Sequence, residues 1–152
     1  MERMETRVLL PARGFPGWVE AVTDVAVDVE PADDVTAIVL HVFDDDEVAS
    51  TVSNLDVDGD VDVDDLAERK SGVSAAIDRL DEAAVDYRVR GVVQEESPSS
   101  AILSVADDED VDRIYMYSRK RSPTGKAVFG SELQDVLLDA TVPVVVTPPA
   151  LS

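Results

Sequence analysis

The sequence contains no cysteine, which excludes disulfide bonds, thiol catalysis and cysteine-ligated metals. It contains one histidine, His41, so histidine-rich metal sites are excluded and a serine–histidine–aspartate triad has a single candidate base. No apolar run approaches the roughly 20 residues that cross a bilayer. The charged start, Met1–Glu5, leads straight into a strand pattern and does not resemble a secretory signal. We therefore expect a cytoplasmic protein without membrane association, and its 152 residues suit one domain, 1–152.

Basic residues are scarce as well. Lysine and arginine number 13 against 33 acidic residues, which gives a net charge of −20. Such a surface repels nucleic-acid backbones and anionic membranes, so neither is an expected partner. The apolar content of 45% argues against a disordered acidic chain. Rich in aspartate and poor in lysine, the composition resembles that of proteins from halophilic archaea, where molar salt shortens the Debye length to about 3 Å.

Five short runs rich in valine, isoleucine and leucine predict strands. They are Arg7–Pro11, Val35–Phe43, Tyr87–Val93, Arg113–Met116 and Val142–Thr147. The segments between them have helical spacing and predict four helices, namely Trp18 to Val29, a long one from Leu66 to Ala84, one opened by Ser97-Pro98, and one with Ser131 near its start. Alternating strands and helices indicate an α/β domain with a parallel sheet. A long acidic excursion, Asp44–Asp65, follows the second strand.

Several segments together resemble the universal stress protein family from end to end. They are Val8–Pro11, Leu40–Val42, Ser97–Leu103, Asp110–Met116, Ser118–Pro123, Phe129–Ser131 and Val142–Val146. The resemblance implies a Rossmann-like fold, with a five-stranded parallel sheet of order 3-2-1-4-5 and helices on both faces. It also implies the motif of ATP-binding members: Gly-x-x-Gly, nine residues, then Gly-Ser or Gly-Thr after strand four, with an Asp after strand one.

The candidate nucleotide site departs from that motif. The two leading glycines of the family motif fall on Tyr117 and Lys120, and the aspartate falls on Arg13. Arginine has no acceptor to replace a carboxylate, and the two larger side chains add bulk where the backbone should approach phosphates. The family pattern is kept at Val42, Gly130 and Ser131. We therefore expect a degenerate site, completed by Ser118 and Arg119, that does not hold ATP in the family manner; no cofactor is assigned.

The same region is basic in an acidic protein. From Arg113 to Ser131 there is no acidic residue but five bases, which are Arg113, Arg119, Lys120, Arg121 and Lys126. One interpretation is a pocket for a small anion other than ATP in the usual pose, assisted by the amides of Gly130 and Ser131 at a helix N-terminus. The other is a solvated loop that pairs with neighbouring carboxylates, and the sequence leaves both open.

The acidic excursion has the spacing of a calcium loop. The candidate ligands are Asn54, Asp56, Asp58, Asp60 and Asp65, with Gly59 at the turn. A sequence this rich in aspartate produces such spacing by chance, so a solvated loop is the favoured interpretation and no metal is assigned. We expect His41 to be a packed core residue.

The last strand is expected to be an edge of the sheet. Val142, Val144, Val145 and Val146 form an uncharged run, and long uncharged edges invite pairing. The family resemblance also implies a homodimer through this strand. The favoured function is a non-enzymatic stress-response or regulatory protein. The alternatives are an ATP-binding member with slow hydrolysis and a dimeric adaptor without a ligand.

Overall fold

A computed structural model of the protein describes residues 6–12, 16–30, 32–44, 46, 63–118, 120–121, 127–128 and 130–147. The main sheet consists of five parallel strands, β1 (Thr6–Pro11), β2 (Val35–Phe43), β3 (Asp86–Val93), β4 (Arg113–Tyr117) and β7 (Val144–Thr147). Their order is β3-β2-β1-β4-β7, so the predicted order 3-2-1-4-5 is confirmed with β7 as the fifth strand. Strands β5 (Lys120–Arg121) and β6 (Ala127–Val128) form a separate antiparallel pair.

Helices cover both faces of the sheet. They are α1 (Pro16–Val29), α2 (Val63–Glu68), α3 (Ser71–Glu82), α4 (Pro98–Asp108) and α5 (Ser131–Asp139), with a 3₁₀ turn at Ala32–Asp34. Apolar residues of α1 and α3 pack on one face, and those of α4 and α5 pack on the other. All nine residues of β2 are buried, because a central parallel strand is covered on both sides. None of the described helices is long and apolar enough to span a bilayer.

The single long helix predicted from Leu66 to Ala84 is wrong. The chain breaks after α2, where Lys70 takes extended backbone angles of φ −79° and ψ 139° before α3 begins. The two halves pack in different places: Leu66 joins Phe43 in a small satellite cluster, whereas Val73 and Leu80 join the main core under α1. One straight helix cannot serve both clusters, so the direction changes.

The start of α4 agrees with the sequence prediction. Ser97 precedes the helix in an extended conformation, its Oγ accepts a hydrogen bond from the Ser100 amide at 3.1 Å, and Pro98 occupies the first turn. This arrangement satisfies one orphan amide of the first turn. The helix therefore begins close to the carboxyl end of β3, and doubly wound folds bind their ligands at the carboxyl ends of the strands.

Candidate functional site

The strand order reverses between β1 and β4, and the two strands separate there. They are in register only over two pairs, Val8 with Arg113 and Leu9 with Ile114. Beyond that point each strand follows its other neighbour: the Ala12 amide donates to the Leu40 carbonyl at 2.7 Å, as β1 continues along β2. On the other side, β4 continues in register with β7 as far as Tyr117. The divergence forms the crevice in which doubly wound sheets bind ligands.

One wall of this crevice is aromatic. Tyr117, the last residue of β4, is half-buried, and its ring centroid lies 5.7 Å from that of Trp18, with the planes inclined by 38°. Trp18 belongs to the first turns of α1, so the ring pair lies on the α1 face of the sheet. The structure thus places the predicted bulky side chain in a specific contact beside the switch point.

Helix α5 follows β4 in the chain and packs on the other face of the sheet, together with α4. Gly130 precedes the helix with φ −70° and ψ 168° and has no side chain with which to cap the first turn, and Ser131 is exposed. These angles suit any residue, so the backbone does not require glycine. Within the described part of the chain, no atom lies within 4 Å of the position that a Cβ would take. Neither the local conformation nor the packing of the described residues explains this glycine, and the amides at its helix end favour an anion.

The other predicted site residues divide into two groups. Val42 is 2% exposed and packs in the core beneath α4, while Ser118 is buried and its amide donates to the Thr147 carbonyl at 2.9 Å. Both residues are buried near the carboxyl ends of the strands and are not exposed to solvent there. Arg13 and Arg119 lie outside the described residues, and for Lys120 the structure describes only the backbone, within β5.

Arg113 does not lie at the crevice. The prediction that it joins four other bases in a pocket for an anion is therefore wrong for this residue. It begins β4 at the opposite end of the sheet, where its Nε and Nη2 donate to Glu30 Oε2 at 3.1 and 2.8 Å. Glu30 is almost fully buried, and it also accepts a hydrogen bond from the Tyr115 hydroxyl at 3.2 Å. The hydrogen bond to Glu30 raises the pKa of Arg113 above its ordinary value. This arginine neutralises a buried carboxylate, so its role is architectural.

A second ion-pair cluster was not predicted from the sequence. Arg88 and Arg90 of β3 donate to the two carboxylate oxygens of Glu109 at 2.5 and 2.6 Å, just after the end of α4. Burial alone would raise the pKa of Glu109, but the hydrogen bonds and charges of the two arginines outweigh it and hold that pKa below its usual range. The available signal was the two-residue spacing of the arginines, which places both on one face of a strand.

The remaining predictions concern the calcium loop and His41. Of the calcium-loop candidates, Asn54, Asp56, Asp58 and Asp60 lie outside the described residues, and Asp65 is exposed in α2. Among the residues that the structure describes, no three potential metal ligands are grouped closely enough to hold an ion. His41 is buried and its ring meets Phe43 edge to face, with centroids 4.5 Å apart. This confirms the packing role predicted for His41.

The sheet order and the diverging strands define a doubly wound α/β protein. The model of the universal stress protein family matches residues 6–148, and the chain belongs to that family. A universal stress protein from Archaeoglobus fulgidus is 27% identical, with coverage of 95% of this chain and 98% of the other and a TM-score of 0.64.

Two further solved structures share the fold at lower identity. A universal stress protein in complex with cAMP is 18% identical, with 97% and 100% of the two chains covered and a TM-score of 0.64. A universal stress protein from Archaeoglobus fulgidus in complex with dAMP is 22% identical, with 96% and 98% covered and a TM-score of 0.60. None of the curated protein sequences compared with the chain matches it significantly.

Proposed function

We propose that this protein is a non-enzymatic stress-response or regulatory protein that binds a small anion at the N-terminus of α5. The observation that carries the proposal is Gly130, an exposed glycine with ordinary backbone angles that no described residue beyond its chain neighbours approaches. A ligand that approaches the backbone closely would account for a residue without a side chain at this position. The amides of the first turn, which Gly130 cannot cap with a side chain, supply the donors for such a ligand.

The same site is unsuited to ATP in the family's usual pose. The Tyr117 ring, packed on Trp18, occupies the α1 side of the switch point where the family motif has a glycine. Lys120 and Arg13 replace the second glycine and the aspartate of that motif. A long triphosphate needs backbone amides along its path, and two large side chains in the motif remove that access.

Adenosine monophosphates are the first probes for the anion. Two neighbours of the same fold are complexes with cAMP and with dAMP. A single phosphate needs one cluster of donors, which the start of α5 provides without the two leading glycines of the motif. We therefore expect AMP or cAMP to bind more tightly than ATP.

Trp18 is the only tryptophan in the chain and lies beside the crevice, so its fluorescence reports directly on the site. Titrations of AMP, cAMP and ATP with Mg²⁺ should be followed by Trp18 emission and by calorimetry in about 2 M KCl. A micromolar dissociation constant for ATP would contradict the degenerate site and favour the alternative of a working ATP-binding member. The variant with Arg13→Asp, Tyr117→Gly and Lys120→Gly should bind ATP more tightly than the natural chain.

We also propose a homodimer through β7. In the described part of the chain β7 pairs with β4 alone. The carbonyls of Pro143 and Thr147 accept hydrogen bonds from β4, so the backbone groups of these residues point toward β4. Successive residues of a strand point their backbone groups to opposite sides, and the amides of Val144 and Val146 therefore point to the free edge. Val146→Pro removes one outward donor and leaves the pairing with β4 intact.

Light scattering should give twice 16.4 kDa for the natural chain and the monomer mass for Val146→Pro, with unchanged circular dichroism. A monomeric natural chain would end the dimer proposal. A dimer that binds none of the three nucleotides would instead favour the ligand-free adaptor.

A further inference from the structure

The opposite edge of the sheet, β3, is closed by the short helix α2. The Gln94 amide donates inward to the Phe43 carbonyl of β2 at 2.8 Å. Because inward and outward residues alternate along a strand, the amide of Gly91 points outward, toward the free edge. That outward amide donates to the Asp64 carboxylate, in the first turn of α2, at 2.7 Å.

Gly91 is required for this contact. A Cβ built on Gly91 would lie 2.3 Å from the carbonyl oxygen of Val63 and 2.8 Å from its carbonyl carbon. Both are backbone atoms, so no side-chain rotation relieves the clash. The absence of a side chain at residue 91 therefore lets the first turn of α2 lie directly against the edge strand.

Helix α2 is otherwise held by a small satellite of the core. Leu66 and Ala67 are fully buried against Phe43, and the Lys70 ammonium lies 5.4 Å from the centroid of the Phe43 ring. A six-residue helix has little stability of its own, so its packing against β3 and Phe43 determines whether it stays docked. The strand beneath it, Asp86–Val93, contains no proline, so every outward amide of this edge is present.

We propose that α2 covers an interaction surface at the edge of β3. When α2 undocks, this edge pairs with the β3 edge of a second copy of this chain. Antiparallel pairing about Arg88 places Asp86 of each copy opposite Arg90 of the other, which gives two pairs of opposite charge. The two Arg88 side chains meet at the axis, where each is paired with Glu109 of its own chain. One Glu109 serves both Arg88 and Arg90, so one positive charge per copy is left for Asp86 of the other copy. In that register the outward residues Tyr87 and Val89 exchange hydrogen bonds across the two-fold axis. The docked helix thereby confines assembly to β7.

Asp64→Ala and Asp65→Ala form a matched pair, since both remove one acidic residue from the first turn of α2 and only Asp64 is bonded to Gly91. In about 2 M KCl, Asp64→Ala should speed hydrogen exchange of the Gly91 amide at least about tenfold. Its mass by light scattering should rise with concentration beyond the natural chain's mass. Asp65→Ala should match the natural chain in both measurements.

The second edge is isolated by working in Val146→Pro, where β7 pairing is blocked. There Asp64→Ala should double the mass, and adding Val89→Pro, which removes an outward amide of β3, should return it to the starting value. This arm does not depend on the β7 dimer, so the two proposals can fail separately. Gly91→Ala, which displaces Val63 sterically, should reproduce the doubling if circular dichroism shows a folded chain.

Three results would overturn the proposal that α2 prevents pairing at the β3 edge. The first is an unchanged mass in both Asp64→Ala and Gly91→Ala. The second is an equal rise in mass with Asp65→Ala, which would indicate a general effect of charge. The third is a doubled mass that survives Val89→Pro, which would place the contact elsewhere.

Discussion

The two ends of the sheet use polar groups in opposite ways. At the amino end, the buried carboxylates of Glu30 and Glu109 are each satisfied by arginines from β4 or β3, and the groups are close and specific. At the carboxyl end, no described residue beyond the chain neighbours approaches Gly130, which offers α5 no capping side chain, and two aromatic rings meet beside the strand ends. The ion pairs at the amino end are explained by the need to neutralise buried carboxylates. The packing of the described residues does not explain the glycine at the carboxyl end. We therefore assign the ion pairs at the amino end to the stability of the protein, and the features at the carboxyl end to the proposed ligand site.

The largest effect is expected from removing the arginine at the amino end. Arg113→Met leaves Glu30 buried without its cation, and breaking a buried pair in this way typically costs about 3 kcal/mol. Denaturant unfolding in high KCl should show that loss, while nucleotide binding to the folded variant stays unchanged. A loss of binding with unchanged stability would reverse the assignment of the two ends.

Salt should affect the whole molecule strongly. A net charge of −20 is poorly screened in dilute buffer, so the melting temperature should rise steeply between about 0.1 and 2 M KCl as the Debye length shortens. A melting temperature that stays flat across this range would contradict the halophilic interpretation. The Arg113→Met variant should show the same salt dependence from a lower starting point, because Glu30 and Arg113 are partly shielded from solvent ions.

The Glu109 cluster predicts a pH dependence. The pKa of Glu109 is lowered in the folded state, so its stabilising contribution is present above the unfolded pKa of about 4.3 and is lost as pH falls through the folded value. Glu109→Gln should therefore be less stable than the natural chain near neutral pH, and the difference should shrink on acidification. Urea unfolding at several pH values tests this, with Glu96→Gln, an exposed position outside the cluster, as the control.

Ser97→Ala gives a smaller effect at the carboxyl end. It removes the oxygen that accepts from the Ser100 amide, and loss of such a cap costs about 1 kcal/mol. Because this cap belongs to α4 and not to α5, binding of adenosine monophosphates should not change. Weaker binding in Ser97→Ala would extend the ligand site to the start of α4.

The smallest stability effect accompanies the largest expected change in binding. Gly130→Asp adds a capping carboxylate at the start of α5 and should raise stability by about 0.5 kcal/mol. The same carboxylate fills the open space and repels an anion, so nucleotide affinity should fall at least about tenfold. Lower stability in this variant would mean that the glycine serves the fold after all.

Much of the fold could be predicted from the sequence, because parallel strands buried on both faces appear as continuous apolar runs such as Val35–Phe43. The break between α2 and α3 could not, since it depends on which cluster receives Leu66 and which receives Val73. Nor could the partner of Arg113, since Glu30 lies 83 residues earlier in the chain. Gly130 was found through family resemblance, but its lack of a steric role became visible only in three dimensions.

The most direct test of the account is a paired titration of AMP into the natural chain and Gly130→Asp, followed by calorimetry and Trp18 fluorescence in about 2 M KCl. Unfolding of both proteins is measured in the same buffer. We expect saturable binding to the natural chain, at least about tenfold weaker binding to Gly130→Asp, and equal or greater stability of the variant. Equal affinity of the two proteins for AMP would contradict a ligand site at the start of α5.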